Sequence, residues 1–224
     1  MTPKHPYPVG LLFDLDGTLI NTDALHFQVF KALFAEHGQE IDLPWYLANV
    51  HGHLNAEIFA RHMPGGDAQA MSDLKEARFR DLLGDTAPPM PGAQDLIAQA
   101  QRDGWGLAVV TNAPRYNAEA MLAATGLRDA FDTVVIGEEC ARAKPDPAPY
   151  RAAMQALRLT PNLCIAFEDS PSGLRAARSS GALTVGVRSS LDDRALRNAG
   201  AHASIEDFND PTLPGLLDRL KGRT

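Results

Sequence analysis

Val9-Gly10-Leu11-Leu12-Phe13-Asp14-Leu15-Asp16-Gly17-Thr18 is a short unbroken apolar run closed by two acids and a glycine. Four more runs share its character: Leu107 to Val110, Thr133 to Ile136, Leu163 to Phe167 and Leu183 to Val187. None alternates between apolar and polar residues. Continuous runs rich in Val, Ile and Leu are how strands read when helices cover both faces of a parallel sheet. The segments between them carry helical spacing: Ala93, Leu96, Ile97 and Ala100; Ala118, Met121, Leu122 and Thr125; Tyr150, Ala153, Met154 and Leu157. Strand and helix alternate from residue 92 onward, which predicts a doubly wound, Rossmann-like α/β core with a parallel sheet.

One segment breaks the alternation. After the first strand no second one is read until residue 107, and residues 22 to 90 read almost wholly as helix, so an all-helical domain is expected at 22–90, inserted into an α/β core formed by 1–21 and 91–224. Leu25, Val29 and Leu33 share a helix face, with Phe30, Phe34 and His37 beside them. A second helix is expected to start at Asp73, with Glu76 completing a capping box, and to run to Leu83. The stiff stretch Ala87-Pro88-Pro89-Met90-Pro91-Gly92 fits a boundary or hinge.

Composition narrows the function by exclusion. Over 224 residues the formal net charge is -7, against a surface built for nucleic acid or anionic lipid, which needs clustered Lys and Arg. No apolar run is long enough to span a bilayer, and Met1 to Pro8 lack the apolar segment of a secretory signal, so a cytoplasmic protein is expected. The two cysteines, Cys140 and Cys164, are too few for a disulfide framework or a zinc site. Cys164, inside an apolar run, reads as a small buried hydrophobe.

In an open parallel sheet, ligands bind beyond the carboxyl ends of the strands. The first run ends in Asp14 and Asp16, the second in Thr111 and Asn112, and the fourth in Glu168 and Asp169, while Lys144 lies in the loop after the third. Asp14 and Asp16, two apart on extended backbone, share a face and repel one another unless a cation or a shared proton intervenes. With Asp169 as a third oxygen donor the set suits Mg²⁺. Pro114, Pro147 and Pro171 each mark a helix start, with Asp146 and Ser170 as N-caps and Gly181 closing the last of these helices. Helix N-termini so placed would turn free N–H groups toward an anion. Taken singly, Thr111-Asn112 is equally a plain turn and Lys144 a solvated charge; their coincidence at one end of one sheet makes a site.

These residues resemble the four motifs of the haloacid-dehalogenase-like hydrolase superfamily, in the branch whose cap follows the first motif. Phe13 to Leu19 is similar to its nucleophile motif, Thr111 to its second, Lys144-Pro145-Asp146-Pro147 to its third, and Glu168-Asp169-Ser170 with Gly173 to its fourth. The resemblance implies catalytic roles for Asp14, as nucleophile, and Asp16, as acid and base; phosphate binding by Thr111, Asn112 and Lys144; and Mg²⁺ held by Asp14, Asp16 and Asp169 with Glu168 at hand. Relatives that displace halide lack the acid at Asp16, so its presence favours phosphoryl transfer. Around Asn21 to His26 the chain resembles β-phosphoglucomutase, but the cap Arg of those enzymes aligns with Asn55 here, with Arg61 or Arg78 as possible substitutes; this favours transfer to water. His26, His51, His53 and Asn55 fall where the family's cap and linker contacts lie, and the histidines read equally as packed or surface residues. A cap that closes over the site limits the partner to a small phosphorylated metabolite, a sugar or glycol phosphate, for a monomer or weak homodimer. Phosphomutase, phosphoglycolate phosphatase and, outside enzymes, a phospho-accepting switch resembling response regulators are the competing readings.

Overall fold

The structure is a computed structural model that describes residues 7–50 and 55–221. It divides into two compact units, one of Met1–Asn21 with Thr86–Thr224 and one of Thr22–Asp85. The second unit holds α1 (Asp23–Glu36), α2 (Leu43–Asn49), α3 (Asn55–His62) and α4 (Ala68–Leu83). Val29, Phe30, Leu33 and Phe34 are the buried face of α1, and an aromatic cluster joins it to its neighbours: Phe30 packs on Tyr46 and Phe59, and Phe34 meets Trp45 edge-on. His37, expected on that stripe, is exposed. α4 starts at Ala68 and not at Asp73, because Asp67 caps it by accepting from the Gln69 and Ala70 N–H groups. Glu76 is therefore an interior, buried residue of α4 and closes no capping box.

In the first unit a six-stranded sheet runs β3 (Thr133–Ile136), β2 (Gly106–Thr111), β1 (Gly10–Phe13), β4 (Cys164–Glu168), β5 (Leu183–Val187), β6 (Ala203–Ile205), with every pairing parallel. The five expected strands are all present. β6 escaped the sequence reading because three residues carry no period; pairing of Val185 with Ala203 and of Val187 with Ile205 defines it. Helices α5 (Ala93–Arg102), α6 (Arg115–Ala124), α7 (Ala148–Leu157), α8 (Pro171–Ser180), α9 (Asp193–Ala199) and α10 (Leu213–Lys221) alternate with β2 to β6. Leu12, Ala108, Val110 and Ala166 face α7 through Tyr150, Ala153, Met154 and Leu157, while Phe13 stacks on Phe167 at 5.0 Å and both meet Phe208. With both faces covered, the strands have no solvent side to mark with polar residues, which is why they read as unbroken apolar runs.

The Pro-rich stretch packs on this unit: Ala87 N–H donates to the Ala124 carbonyl and Met90 N–H to that of Leu19. Pro171 opens α8 as expected and Gly181 ends it in the left-handed conformation, but Pro114 and Pro147 each sit one residue before their helix begins. Among the described residues no helix is long and apolar enough to cross a membrane.

Candidate active site

The strand order turns the chain back past β1, since β2 and β3 lie on one side of it and β4 to β6 on the other. The crevice between β1 and β4 is thus the topological switch point, where such sheets bind ligands. Register delivers the acids to it. Phe13 pairs with Phe167 and Asp14 N–H donates to the Phe167 carbonyl at 3.0 Å, so Asp14, Glu168 and Asp169 leave adjacent strand ends together. Carboxylate oxygens of these three buried acids all lie within 4.8 Å of one another.

Lys144, 7% exposed, is the cation that Asp14 and Glu168 share. Its Nζ donates to Asp14 Oδ1 at 2.5 Å and to Glu168 Oε1 at 2.6 Å. Glu168 is held at both oxygens: Oε1 also accepts from the Tyr150 hydroxyl at 3.0 Å, and Oε2 from Ser170 N–H and Oγ. Ser170 Oγ in turn accepts from Gly173 N–H and so caps α8, the role expected of it. Asp169 accepts from Ser189 Oγ at 3.3 Å. Two glycines make room for this packing. An added Cβ at Gly17, whose φ of +72° already favours glycine, would overlap the Asp169 carboxylate, and one at Gly173 would overlap that of Glu168.

Burial, then the Glu168 carboxylate, push Asp14 up to about 8 against the pull of Lys144, with Asp16 adding to the upward push. Burial acts to lower Lys144, but Asp14 and Glu168 outweigh it and the ammonium stays charged. Burial and Glu168 also hold the Tyr150 phenol protonated. One lysine thus meets two of three crowded carboxylates, with Asp16 partly exposed beside them. Such a set lacks positive charge, and an oxygen-only donor group of this kind fits a hard divalent cation.

Thr111, almost fully buried at the end of β2, accepts from Ala113 N–H at 2.9 Å. Asn112 bonds with both ends of its amide to the backbone of Lys144. In the helical unit, Asn55 Nδ2 donates to Glu76 Oε1 at 2.5 Å and to Ser72 Oγ. Lys75, 3% exposed, places Nζ 2.9 Å from both His26 Nδ1 and Glu76 Oε1, while His26 stacks on Phe79. His51 and His53 lie outside the described residues. Tyr150, Ser189 and Lys75 are not among the site residues expected from the sequence. Ser189 stood two residues past the fifth apolar run, where inspecting every strand end would have found it. Tyr150 was legible only as part of the apolar stripe of α7.

The class this fold and site define is borne out by comparison with known proteins. The family model for haloacid dehalogenase-like hydrolases matches residues 11–187, and the chain belongs to that family of enzymes. Validoxylamine A 7'-phosphate phosphatase of Streptomyces hygroscopicus subsp. limoneus is 35% identical over 206 residues, 91% of this chain and 95% of that relative. A variant of CbbY from Rhodobacter sphaeroides, solved in complex with xylulose-(1,5)bisphosphate, is 32% identical with a TM-score of 0.77, covering 89% of this chain and 94% of that one. A β-phosphoglucomutase from Clostridium difficile superposes with a TM-score of 0.80 at 20% identity, over 96% of this chain and 97% of that one, and speaks for the fold alone.

Proposed function

We propose that the chain is a Mg²⁺-dependent phosphatase that hydrolyses small phosphate monoesters, of sugars or glycols, through a phosphoryl group carried on Asp14. The observation that carries this reading is the buried group of Asp14, Glu168 and Asp169 around Lys144 at the sheet's switch point. A named phosphatase among the relatives, and a bisphosphorylated sugar bound to another, support the substrate class.

In this account an Asp14 oxygen attacks phosphorus as the ester P–O bond breaks, and Asp16 gives its proton to the departing oxygen. Asp16 then takes a proton from water, which attacks the same phosphorus; the bond to Asp14 breaks, leaving a free carboxylate and inorganic phosphate. Lys144 and the Thr111 hydroxyl stabilise the phosphoryl oxygens. Mg²⁺ would be held by Asp14, Asp169 and the Asp16 carbonyl, supplying the charge that keeps Asp14 ionised and offsets the phosphate. Glu168, both oxygens already occupied, serves mainly to hold Lys144. Asn55 and Arg78 bear on the second step. Position 55 carries an amide, whose Nδ2 donates to Glu76 and Ser72, in place of a guanidinium, and Arg78 forks onto Glu36, which supports transfer to water over transfer to a second sugar hydroxyl. His26, Asn55 and Lys75, with His51 and His53, are our candidates for reading the substrate beyond its phosphate.

A panel of phosphorylated metabolites incubated with Mg²⁺ should release phosphate from sugar or glycol monoesters, with β-glucose 1-phosphate giving little 6-phosphate. Efficient isomerisation would replace hydrolysis by mutase chemistry.

The cation has a signature apart from turnover. Burial and the Glu168 carboxylate raise the Asp14 carboxyl from its ordinary 3.8 to about 8 in the folded chain, so between those values the folded state holds a proton the unfolded state has lost. Its contribution to stability therefore falls as pH rises through that window. Mg²⁺ competes with that proton, so added Mg²⁺ should raise Tm by a few degrees, and more at the alkaline end than at the acid end. A Tm indifferent to Mg²⁺ at every pH would remove the cation from this site.

A further inference from the structure

Asn112 was expected to bind phosphate, yet its amide is engaged elsewhere. Nδ2 donates to the Lys144 carbonyl at 3.1 Å, and Oδ1 accepts from Lys144 N–H at 3.1 Å. Two antiparallel bonds between one side-chain amide and one residue's main chain fix that residue in position and orientation, as a ladder pair does in a sheet. The residue so held is the one whose ammonium meets Asp14 and Glu168.

The surroundings are shaped to this clamp. Gly137, at the end of β3, has its Cα against the Asn112 side chain, where an added Cβ would overlap Oδ1 and crowd Ala143. A second tie lies alongside: Arg115, first residue of α6, forks onto Glu139 with Nε and an Nη at 2.5 Å. The loops after β2 and β3 are thus joined at two points. The stretch carrying Lys144 has no strand or helix of its own between the short 3-10 turn Gly137–Glu139 and α7, so these ties supply the order that backbone ladders supply elsewhere.

We propose that Asn112 is a positioning residue, acting on the reaction through Lys144 by clamping its backbone. A ladder-like bond at the root of a four-carbon side chain sets where the charge at its tip can reach, and a displacement of about 1 Å costs on the order of 100-fold in rate. The proposal rests on the phosphatase reading for its kinetic consequence, but the clamp itself is observable without turnover.

The test compares Asn112→Ala in the wild-type and Lys144→Ala backgrounds, with p-nitrophenyl phosphate as substrate because its leaving group keeps the slow background measurable. Asn112 is exposed, so its truncation leaves the core intact. A residue acting only through Lys144 loses its effect once Lys144 is gone. We expect kcat to fall about 10- to 100-fold in the first background and less than about twofold in the second. A direct phosphate ligand would cost the same factor in both, and that result overturns the proposal. Gly137→Ala, which forces the amide aside, should reproduce the loss in the wild type and add nothing to Asn112→Ala; an additive loss counts against the clamp. Independently of activity, hydrogen exchange at the Lys144 amide should accelerate in Asn112→Ala. It should lie between the wild-type and Asn112→Ala rates in Asn112→Asp, which keeps the acceptor for that N–H but sets a carboxylate oxygen against the Lys144 carbonyl. An unchanged rate in Asn112→Ala overturns the proposal. A wild-type chain that releases no phosphate would refute the phosphatase reading, and the exchange measurement would still decide the clamp.

Discussion

Asp14→Asn should abolish phosphate release, lowering kcat by at least about 10³-fold, without unfolding the chain. The two halves of that result come from the same geometry. An amide keeps the size and one oxygen of the carboxylate, so Lys144 can still donate to position 14, but a neutral amide is a poor nucleophile toward phosphorus. Removing one of three buried carboxylates whose oxygens lie within 4.8 Å of one another also relieves like-charge crowding. The variant's Tm in the absence of Mg²⁺ should therefore equal or exceed that of the wild type, while the rise produced by Mg²⁺ shrinks. Loss of activity accompanied by a large loss of stability would mean that Asp14 holds the fold, contrary to this account.

Lys144→Ala should damage both properties. The ammonium is the one cation bonded to Asp14 and Glu168 among the described residues, and taking one partner from a buried ion pair typically costs about 3–5 kcal/mol because the remaining charge is stranded. Protonation of Asp14 offsets part of this at low pH, so the deficit should widen as pH rises. Turnover should drop on the order of 10²- to 10³-fold, as when a single donor to developing charge is lost. Lys144→Met separates the terms: it restores most of the side-chain volume and none of the charge, so it should recover packing but neither kcat nor the alkaline stability. Denaturant unfolding at two pH values, with steady-state kinetics, checks both. A stability loss under about 1 kcal/mol would indicate that water or another group compensates the acids, and that the pair is worth no more than a surface bridge.

The parts of this molecule that were legible beforehand are those with a period or a terminus rule behind them. Four largely buried strands and the half-buried β3 read as apolar runs, and the polar residues closing three of them, with Lys144 in the loop after β3, are those proposed as the site. What stayed hidden has specific causes. β6 is too short to show a period. The cap of α4 at Asp67 was passed over for Asp73 because Glu76 completed an apparent capping box, whereas the Gln69 and Ala70 N–H groups bond to Asp67. Lys75 and Glu76 are neighbours in sequence, and neighbours on a helix do not ordinarily face each other, yet their side chains meet at 2.9 Å in a buried cluster with His26 and Asn55. No spacing rule brings those four together; tertiary packing of α1, α3 and α4 does. Asn112 shows the converse. Its place at a strand end marked it as a candidate, but residue type alone could not tell an amide aimed at an anion from one bonded to a neighbouring backbone.

The claim on which the rest depends is that Asp14 carries the phosphoryl group. The enzyme turning over its best substrate can be quenched in acid and treated with borohydride, which reduces an acyl phosphate to the alcohol but spares a free carboxylate. Mass analysis of the peptide spanning Val9 to Leu19 should then find homoserine at position 14 in the wild type and none when substrate is omitted. Reduction at another residue, or an unmodified Asp14 in enzyme shown to be releasing phosphate under the same conditions, would contradict the account.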